Sequence, residues 1–379
     1  MKLCLKIQLQ DLLEKININD ATGLKELLKE QNLKPDVEDD NGMTLLQHAA
    51  FKGNYEMSQI LLDLGANPNG GHHEHQYTTL HFAALSGNAE LCELLLSHGV
   101  KVDAINSVNR TAAQMAAFVG NHQCVSVINN YIPREEIDYF TQPQGLDKEG
   151  KFPAHSAPSL HRLLMQANLH PVRILLTVQK FPLLWENLKN ASEVLEQLSE
   201  RFMKRGQEAN ELLSLKCHHL AFTLKALERE QSKKKESKSS EIIETFIKLF
   251  LKPRKDGFPE FLDNFVRESI RSFAFKDTVV FRQLVVGLAK TKQSPESTLA
   301  IQMLNSAVNG QRGFAEEQVC GTCGQEKAPK KCSKCKMVQY CDKECQRLHW
   351  PLHKKECDSL AEHFQKMQIK QEENKTETA

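Results

Sequence analysis

The sequence has no long apolar run. Nothing in it approaches the roughly 18 consecutive apolar residues that a membrane-spanning helix needs. The basic and apolar start, Met1 to Leu13, is interrupted at Lys6, Gln8 and Gln10, so it does not read as a signal peptide. Myristoylation and prenylation motifs are lacking as well. So is a bias of charge: 49 Lys and Arg stand against 48 Asp and Glu. A net charge of +1 argues against a general nucleic-acid binder and leaves room for local basic patches. There is no nucleophile elbow, Walker loop or dinucleotide glycine pattern. These absences predict a soluble, cytoplasmic chain that is not an enzyme. Its 379 residues are enough for about two or three domains.

Cysteine is abundant in one place. Cys320 and Cys323 form a C-x2-C pair, Cys332 and Cys335 a second, Cys341 and Cys345 follow as C-x3-C, and His353 and Cys357 close as H-x3-C. Seven thiols and one imidazole within 38 residues suffice for two tetrahedral zinc sites. A gap of two or three residues lets one turn present two ligands, and buried cysteines without a metal have no reason to pair this way repeatedly. A disulfide framework is the rival reading, but in a chain of intracellular character such spacing favours metal. Cys4, Cys92, Cys124 and Cys217 lie scattered outside the cluster and read as reduced thiols.

The stretch 320–357 resembles a MYND zinc finger, on Tyr340-Cys341, Cys345-Gln346, Trp350, His353 and Cys357. The resemblance implies interleaved ligation: Cys320, Cys323, Cys341 and Cys345 on one zinc, and Cys332, Cys335, His353 and Cys357 on the other. His349 is the rival ligand; the Cys345-x7-His353-x3-Cys357 spacing favours His353 and leaves His349 at the surface. Filled with four protein ligands each, the sites leave no position for a catalytic water, so both ions are expected to be structural. Apolar material is scarce here (Met337, Val338, Tyr340, Leu348, Trp350, Leu352), so zinc must supply folding free energy on the order of 10 kcal/mol per site. Gln346 and Trp350 fall four apart, on one face of a short helix. They are expected to take a Pro-rich peptide, the ring walling a proline and the amide bonding a backbone; the competing reading makes Trp350 the module's core. Nine basic residues against four acids, offset by seven thiolates and two dications, leave the module mildly basic at +2.

Further upstream the chain repeats itself. Thr44, Thr78 and Thr111 are 34 and 33 residues apart, and Gly53, Gly87 and Gly120 keep the same steps. Each threonine opens a segment with a paired alanine: Ala49-Ala50, Ala83-Ala84, Ala116-Ala117. This resembles the ankyrin repeat, a β-turn followed by two antiparallel helices, with Leu45, Thr79 and Ala112 where that family's signature has proline. Leu24, Leu27 and Leu28 read as the second helix of an N-terminal capping repeat, giving a repeat domain over 5–132. Phe51, Leu85 and Phe118, flanked by Phe82 and Met115, align across the repeats as an apolar stripe on the concave side. Such a stripe marks a partner groove, unless the helical middle of the chain folds back over it.

Pro133, Pro143, Pro153, Pro158, Gly145 and Gly150 predict an irregular connector over 133–158. Residues 159–312 show apolar spacing of three to four throughout and read as an all-α domain. The expected fold is therefore mostly α: an ankyrin solenoid, an all-α helical middle and a small two-zinc finger at 320–357, ending in a disordered tail over 371–379. Lys233 to Ser240 reads as a solvated charged loop. His72, His73 and His75 with Glu74 offer a third metal site, against the plainer reading of a polar fingertip; His218 and His219, adjacent on a helix, read as structural.

In combination these parts resemble the ankyrin-repeat and MYND-domain proteins, carried also by Asn41-Gly42-Met43-Thr44, Ala84-Leu85-Ser86-Gly87-Asn88, Arg110 to Gly120, Pro143 to Lys148 and Arg267 to Arg271. The resemblance implies a non-enzymatic protein–protein adaptor linked to the trafficking of signalling proteins to the cilium and to Hedgehog signalling. A nuclear corepressor-type adaptor is the alternative. Protein methyltransferase is a third class, since some of those enzymes carry a MYND finger. Their SET domain is β-rich with an Asn-His signature, whereas here Asn121-His122 lies inside a repeat.

Overall fold

The computed structural model describes residues 2–377 apart from 31–32, 207–208, 235–236, 295–296 and 311–318. The chain forms two compact units, one up to Pro133 and one from Arg134 onward, with Asn309 grouped with the first.

In the first unit α1 (Lys2–Asn17) and α2 (Ala21–Glu30) precede three helix pairs. These are α3 (Leu45–Phe51) with α4 (Tyr55–Asp63), α5 (Thr79–Ser86) with α6 (Ala89–Ser97), and α7 (Ala112–Phe118) with α8 (His122–Asn130). Thr44, Thr78 and Thr111 each accept the N–H of the third residue onward. That residue's side chain (Gln47, His81 or Gln114) accepts the threonine's own N–H. This reciprocal box satisfies donors that a helix start otherwise leaves bare. Asn54 and Asn88 cap the second helices more simply, each side chain accepting the N–H of the third residue onward. Between the helices Gly53, Gly87 and Gly120 have φ of 68°, 78° and 84°, a region that other L-residues enter only with strain. The paired alanines Ala49, Ala50, Ala83 and Ala84 are fully buried where the helices close on one another.

Adjacent repeats are stitched in both directions. Forward, Gln47 Nε2 donates to Gly70 O (3.1 Å) and Tyr77 O (3.4 Å), and His81 Nε2 donates to Arg110 O (2.9 Å). Backward, Asn88 Nδ2 reaches Gly53 O (2.9 Å), and Asn121 Nδ2 reaches Ala84 O (2.9 Å) and Leu85 O (3.0 Å).

The second unit runs through α9 (Glu135–Thr141), α10 (Ala157–Leu164), α11 (Pro171–Lys180), α12 (Pro182–Glu186) and α13 (Leu188–Met203). It continues through α14 (Glu211–Lys233), α15 (Ser239–Leu251), α16 (Glu260–Arg271), α17 (Val279–Lys290) and α18 (Ala300–Asn309). The finger follows as β1 (Lys330–Lys331), β2 (Gln339–Tyr340), α19 (Lys343–His353) and α20 (Cys357–Glu377). Helices α13 and α14 approach closely at Ser199 and Ser214, whose hydroxyls bond each other (2.9 Å) and each other's backbone carbonyls. Phe222, Phe246, Phe250, Phe261 and Phe265 pack ring against ring; Phe246, Phe250 and Phe265 are core, Phe222 is half-buried and Phe261 is exposed at the edge of the cluster. On α16, Arg267 pairs with buried Asp263 at 2.6 Å and donates to Leu288 O and Thr291 Oγ1 beyond α17. Asp263 in turn accepts the N–H of Ala300 at the start of α18. His218 and His219 both reach Ser269 on α16, and His219 also bonds Leu169 O at 3.0 Å.

The connector and the tail differ from expectation. Residues 133–158 are irregular only in part: turns and bends run over 142–153, but α9 precedes them, and Ile137, Phe140 and Phe152 are buried, with Phe152 N–H on Phe140 O at 3.0 Å. Prolines and glycines mark bends, but apolar side chains decide what the bends enclose. The tail continues α20 as helix through Glu377 instead of becoming disordered at 371, in keeping with its Lys, Glu and Gln content; 378–379 lie outside the described residues. The finger and the middle helices, separate in the sequence reading, belong to one compact unit.

Candidate metal centre and interaction surfaces

The finger is built from two tight turns, a two-stranded ladder and a helix. Cys320 and Cys323 sit on the first turn, closed by Gly324 N–H on Cys320 O (2.9 Å). Cys332 and Cys335 sit on the second, closed by Lys336 N–H on Cys332 O (3.0 Å), with Lys336 itself at φ 59°. Lys330 pairs with Tyr340 and Lys331 with Gln339, which brings Cys341 back beside the first turn. Asp342 then caps α19 by accepting Cys345 N–H at 2.9 Å. Thr322 Oγ1 donates to Cys345 O at 2.6 Å, locking the helix start to the first turn.

The ligand atoms converge as two separate groups, Cys320, Cys323, Cys341 and Cys345, and Cys332, Cys335, His353 and Cys357, each within 4.8 Å. Tetrahedral ligation at Zn–S near 2.3 Å puts sulfurs about 3.8 Å apart. Cys323 and Cys341 sulfurs are 3.6 Å apart, Cys323 and Cys345 4.0 Å, and Cys332 and Cys357 3.8 Å. His353 Nε2 is 3.5 Å from Cys335 Sγ. The donor set therefore fits two structural zinc ions, interleaved as the resemblance implied. All the ligands are buried except Cys341, which is half-buried.

His349 stays out of both groups, yet it is no surface residue. It is half-buried, hydrogen-bonded through Nδ1 to Tyr340 OH at 3.1 Å and stacked on His353 at 5.9 Å. Burial, followed by the neighbouring His353, lowers its pKa. Burial first, and then the surrounding thiols, raise that of Tyr340. The histidine fingertip does not converge on a metal: His72 bonds Glu38, His75 lies beside Glu74, and the His73 ring packs edge-on against Phe82 at 5.3 Å.

Among the described residues Asn168, Gln179 and Glu244 bond the finger to the helices, and sequence reasoning gave no sign of them. Asn168 Nδ2 donates to Cys323 O (2.9 Å), Gln179 Nε2 to Glu344 (3.2 Å), and Glu244 on α15 receives both Arg347 nitrogens (2.6 and 3.2 Å). Arg347 is the first cause of the lowered pKa of Glu244. Beside this contact lies a cleft of about 360 Å³ lined by Ser333, Lys334, Lys343, Gln346, Arg347 and Trp350. Trp350 is 43% exposed, so it is not the finger's core; Tyr340 and Leu348 are buried in its place. Its ring stands edge-on to that of His353 at 5.9 Å. In the repeats, Phe51 (54%) and Phe118 (72%) are exposed, Leu85 and Met115 are half-buried, and Phe82 is buried against Phe51 and Tyr77. The stripe is thus discontinuous at its surface.

The fold and metal centre define a class, proteins that join an ankyrin stack to a MYND finger. Ankyrin repeats (3 copies) match residues 14–106, and the MYND finger matches 320–357. Dauer abnormal formation protein 25 of Caenorhabditis elegans is 33% identical over 355 residues, covering 92% of this chain and 90% of that protein, and the chain belongs to its family. Other relatives match the finger alone. N-lysine methyltransferase SMYD2 of Rattus norvegicus is 44% identical over 52 residues, 14% of this chain and 11% of the enzyme. Zinc finger MYND domain-containing protein 10 homolog of Drosophila melanogaster is 51% identical over 41 residues, 11% of this chain and 9% of that protein. The methyltransferase likeness therefore extends to the zinc module and no further. Both matched domains are interaction modules, and the chain is a protein-interaction adaptor. Among the described residues no helix is long and apolar enough to cross a membrane.

Proposed function

We propose that this adaptor holds an extended Pro-rich peptide in the finger cleft and a second partner on the ankyrin groove, and that it serves the trafficking of signalling proteins to the cilium and Hedgehog-type signalling. The observation that carries the peptide reading is the exposed Trp350. A small module short of apolar residues leaves its largest ring open, beside the half-buried Gln346, in a cleft of about 360 Å³. The indole offers a flat wall for a proline ring, and the amide bonds a peptide backbone. The ankyrin groove is carried by Phe51 and Phe118, with Leu85 and Met115 between them. The cilium reading rests on the family resemblance, supported by the near full-length match to Dauer abnormal formation protein 25.

Titration of a Pro-x-Leu-x-Pro peptide is expected to shift the resonances of Gln346 and Trp350 together. Unchanged spectra at about millimolar peptide, a concentration that detects even the weakest specific binding, exclude the cleft as the site. A tagged chain should concentrate in the cytosol and at the base of the cilium. Accumulation in the nucleus favours the corepressor-type adaptor instead.

A further inference from the structure

Among the described residues, the turn and first helix of the last ankyrin repeat are open on the side that their predecessors use to hold their neighbours, whereas its second helix is covered where Ser126 and Asn130 bond Asn309. Gln47 is 1% exposed and His81 0% because each donates to carbonyls of the following repeat. Gln114 is their counterpart, and it is exposed. Its Oε1 accepts Thr111 N–H at 3.0 Å, while its Nε2 has no acceptor among the described residues. Ala50 and Ala84 are 0% exposed, but Ala117, the same position one repeat on, is exposed. In the turns, Ser107 N–H donates to His75 O at 2.9 Å. Val108 stands 33 residues after His75; its side chain is 62% exposed, and its carbonyl takes no backbone donor among the described residues. Arg110 lies over the exposed Phe118 ring at 5.2 Å and makes no ion pair among the described residues. Val108, Asn109, Arg110, Gln114, Ala117 and Phe118 line one open depression of about 610 Å³.

We propose that this edge docks an extended segment of a partner protein, which takes the place that a fourth repeat's turn would occupy. The internal interfaces specify its chemistry. It offers a carbonyl to Gln114 Nε2, as Arg110 O does for His81, and an N–H to Val108 O, as Ser107 does for His75. An apolar side chain covers Ala117 and Phe118, and a carboxylate meets Arg110. Paired backbone groups give such a segment its hold, and the side chains on either side give it selectivity. The site goes beyond the concave groove, with which it shares Phe118.

The test is selection of random short peptides displayed on phage against the full zinc-loaded chain. A class with Asp or Glu beside an apolar residue is expected, losing at least about tenfold in affinity with Ala117→Arg and with Gln114→Glu. The second change keeps the acceptor of the capping box and removes the donor, so the repeat stays folded, as circular dichroism and melting must verify. Arg110→Glu should weaken the same peptides, and Trp350→Ala should leave them unaffected. Recovering no peptide that responds to Ala117→Arg and Gln114→Glu overturns the proposal. So does concentration-dependent self-association that Ala117→Arg abolishes, because the occupant is then a second copy.

Discussion

Two histidines four residues apart on α19 have opposite fates. His353 points its Nε2 into the second thiol group, while His349 turns to the Tyr340 hydroxyl. His353→Ala is therefore expected to leave one zinc per chain by metal analysis, and His349→Ala to keep two. Two zincs retained in the first variant and one in the second would reverse the assignment. The ligands were legible because metal spacing is local, set by what a turn or a helix can present. The packing of His349 was not, since it depends on a tyrosine delivered by strand pairing. His219 shows a different residue-scale effect. Burial holds its pKa down at about 4, against 6.5 when exposed. The unfolded chain thus binds a proton that the folded chain refuses between those values. The associated stability is fully present above the upper value and is lost as pH falls toward the lower. Urea unfolding at about pH 7 and about pH 5 should show a loss on the order of 2 kcal/mol from this group, and His219→Gln should flatten that slope.

At the scale of elements, α19 is fastened at both ends, by Cys345 to one metal and by His353 to the other, with Trp350 between them. The cleft at Trp350 consequently depends on both zincs, and if it holds the proposed peptide, Cys335→Ser should abolish that binding as well as lose an ion. Helix α16 is fastened differently. Asp263 and Arg267, paired with each other in a buried setting, join it to Leu288 and Thr291 at the end of α17 and to Ala300 at the start of α18. Asp263→Ala leaves the guanidinium uncompensated and should cost about 3–5 kcal/mol, read from denaturant midpoints. The repeats were legible in the sequence because their threonines and glycines act within one repeat, on caps and turns. The connector was misread because Phe140 and Phe152 meet across a stretch whose prolines and glycines conceal the pairing.

For the whole molecule, the two units should respond differently to loss of metal. Chelation is expected to remove hydrogen-exchange protection from 320–357, while α15, whose apolar face is buried, and α3 to α8 keep theirs. Equal loss in the repeats would contradict this, since contacts in a stack are made between nearest neighbours. The finger belongs to one compact unit with the helices that precede it.

The double stitching between repeats has a consequence for how the stack melts and binds. When a forward bond from one repeat and a backward bond from the next close the same interface, the coupling between neighbours becomes large beside the stability of each repeat alone. In a one-dimensional lattice of that kind the ends do not fray; all the sites flip together. The terminal repeat is then tied into the cooperative stack even though the outer face of its turn and first helix lies bare among the described residues. A ligand arriving at that bare side meets a surface that has already surrendered its conformational freedom, and the entropy still to be lost is almost entirely the ligand's own.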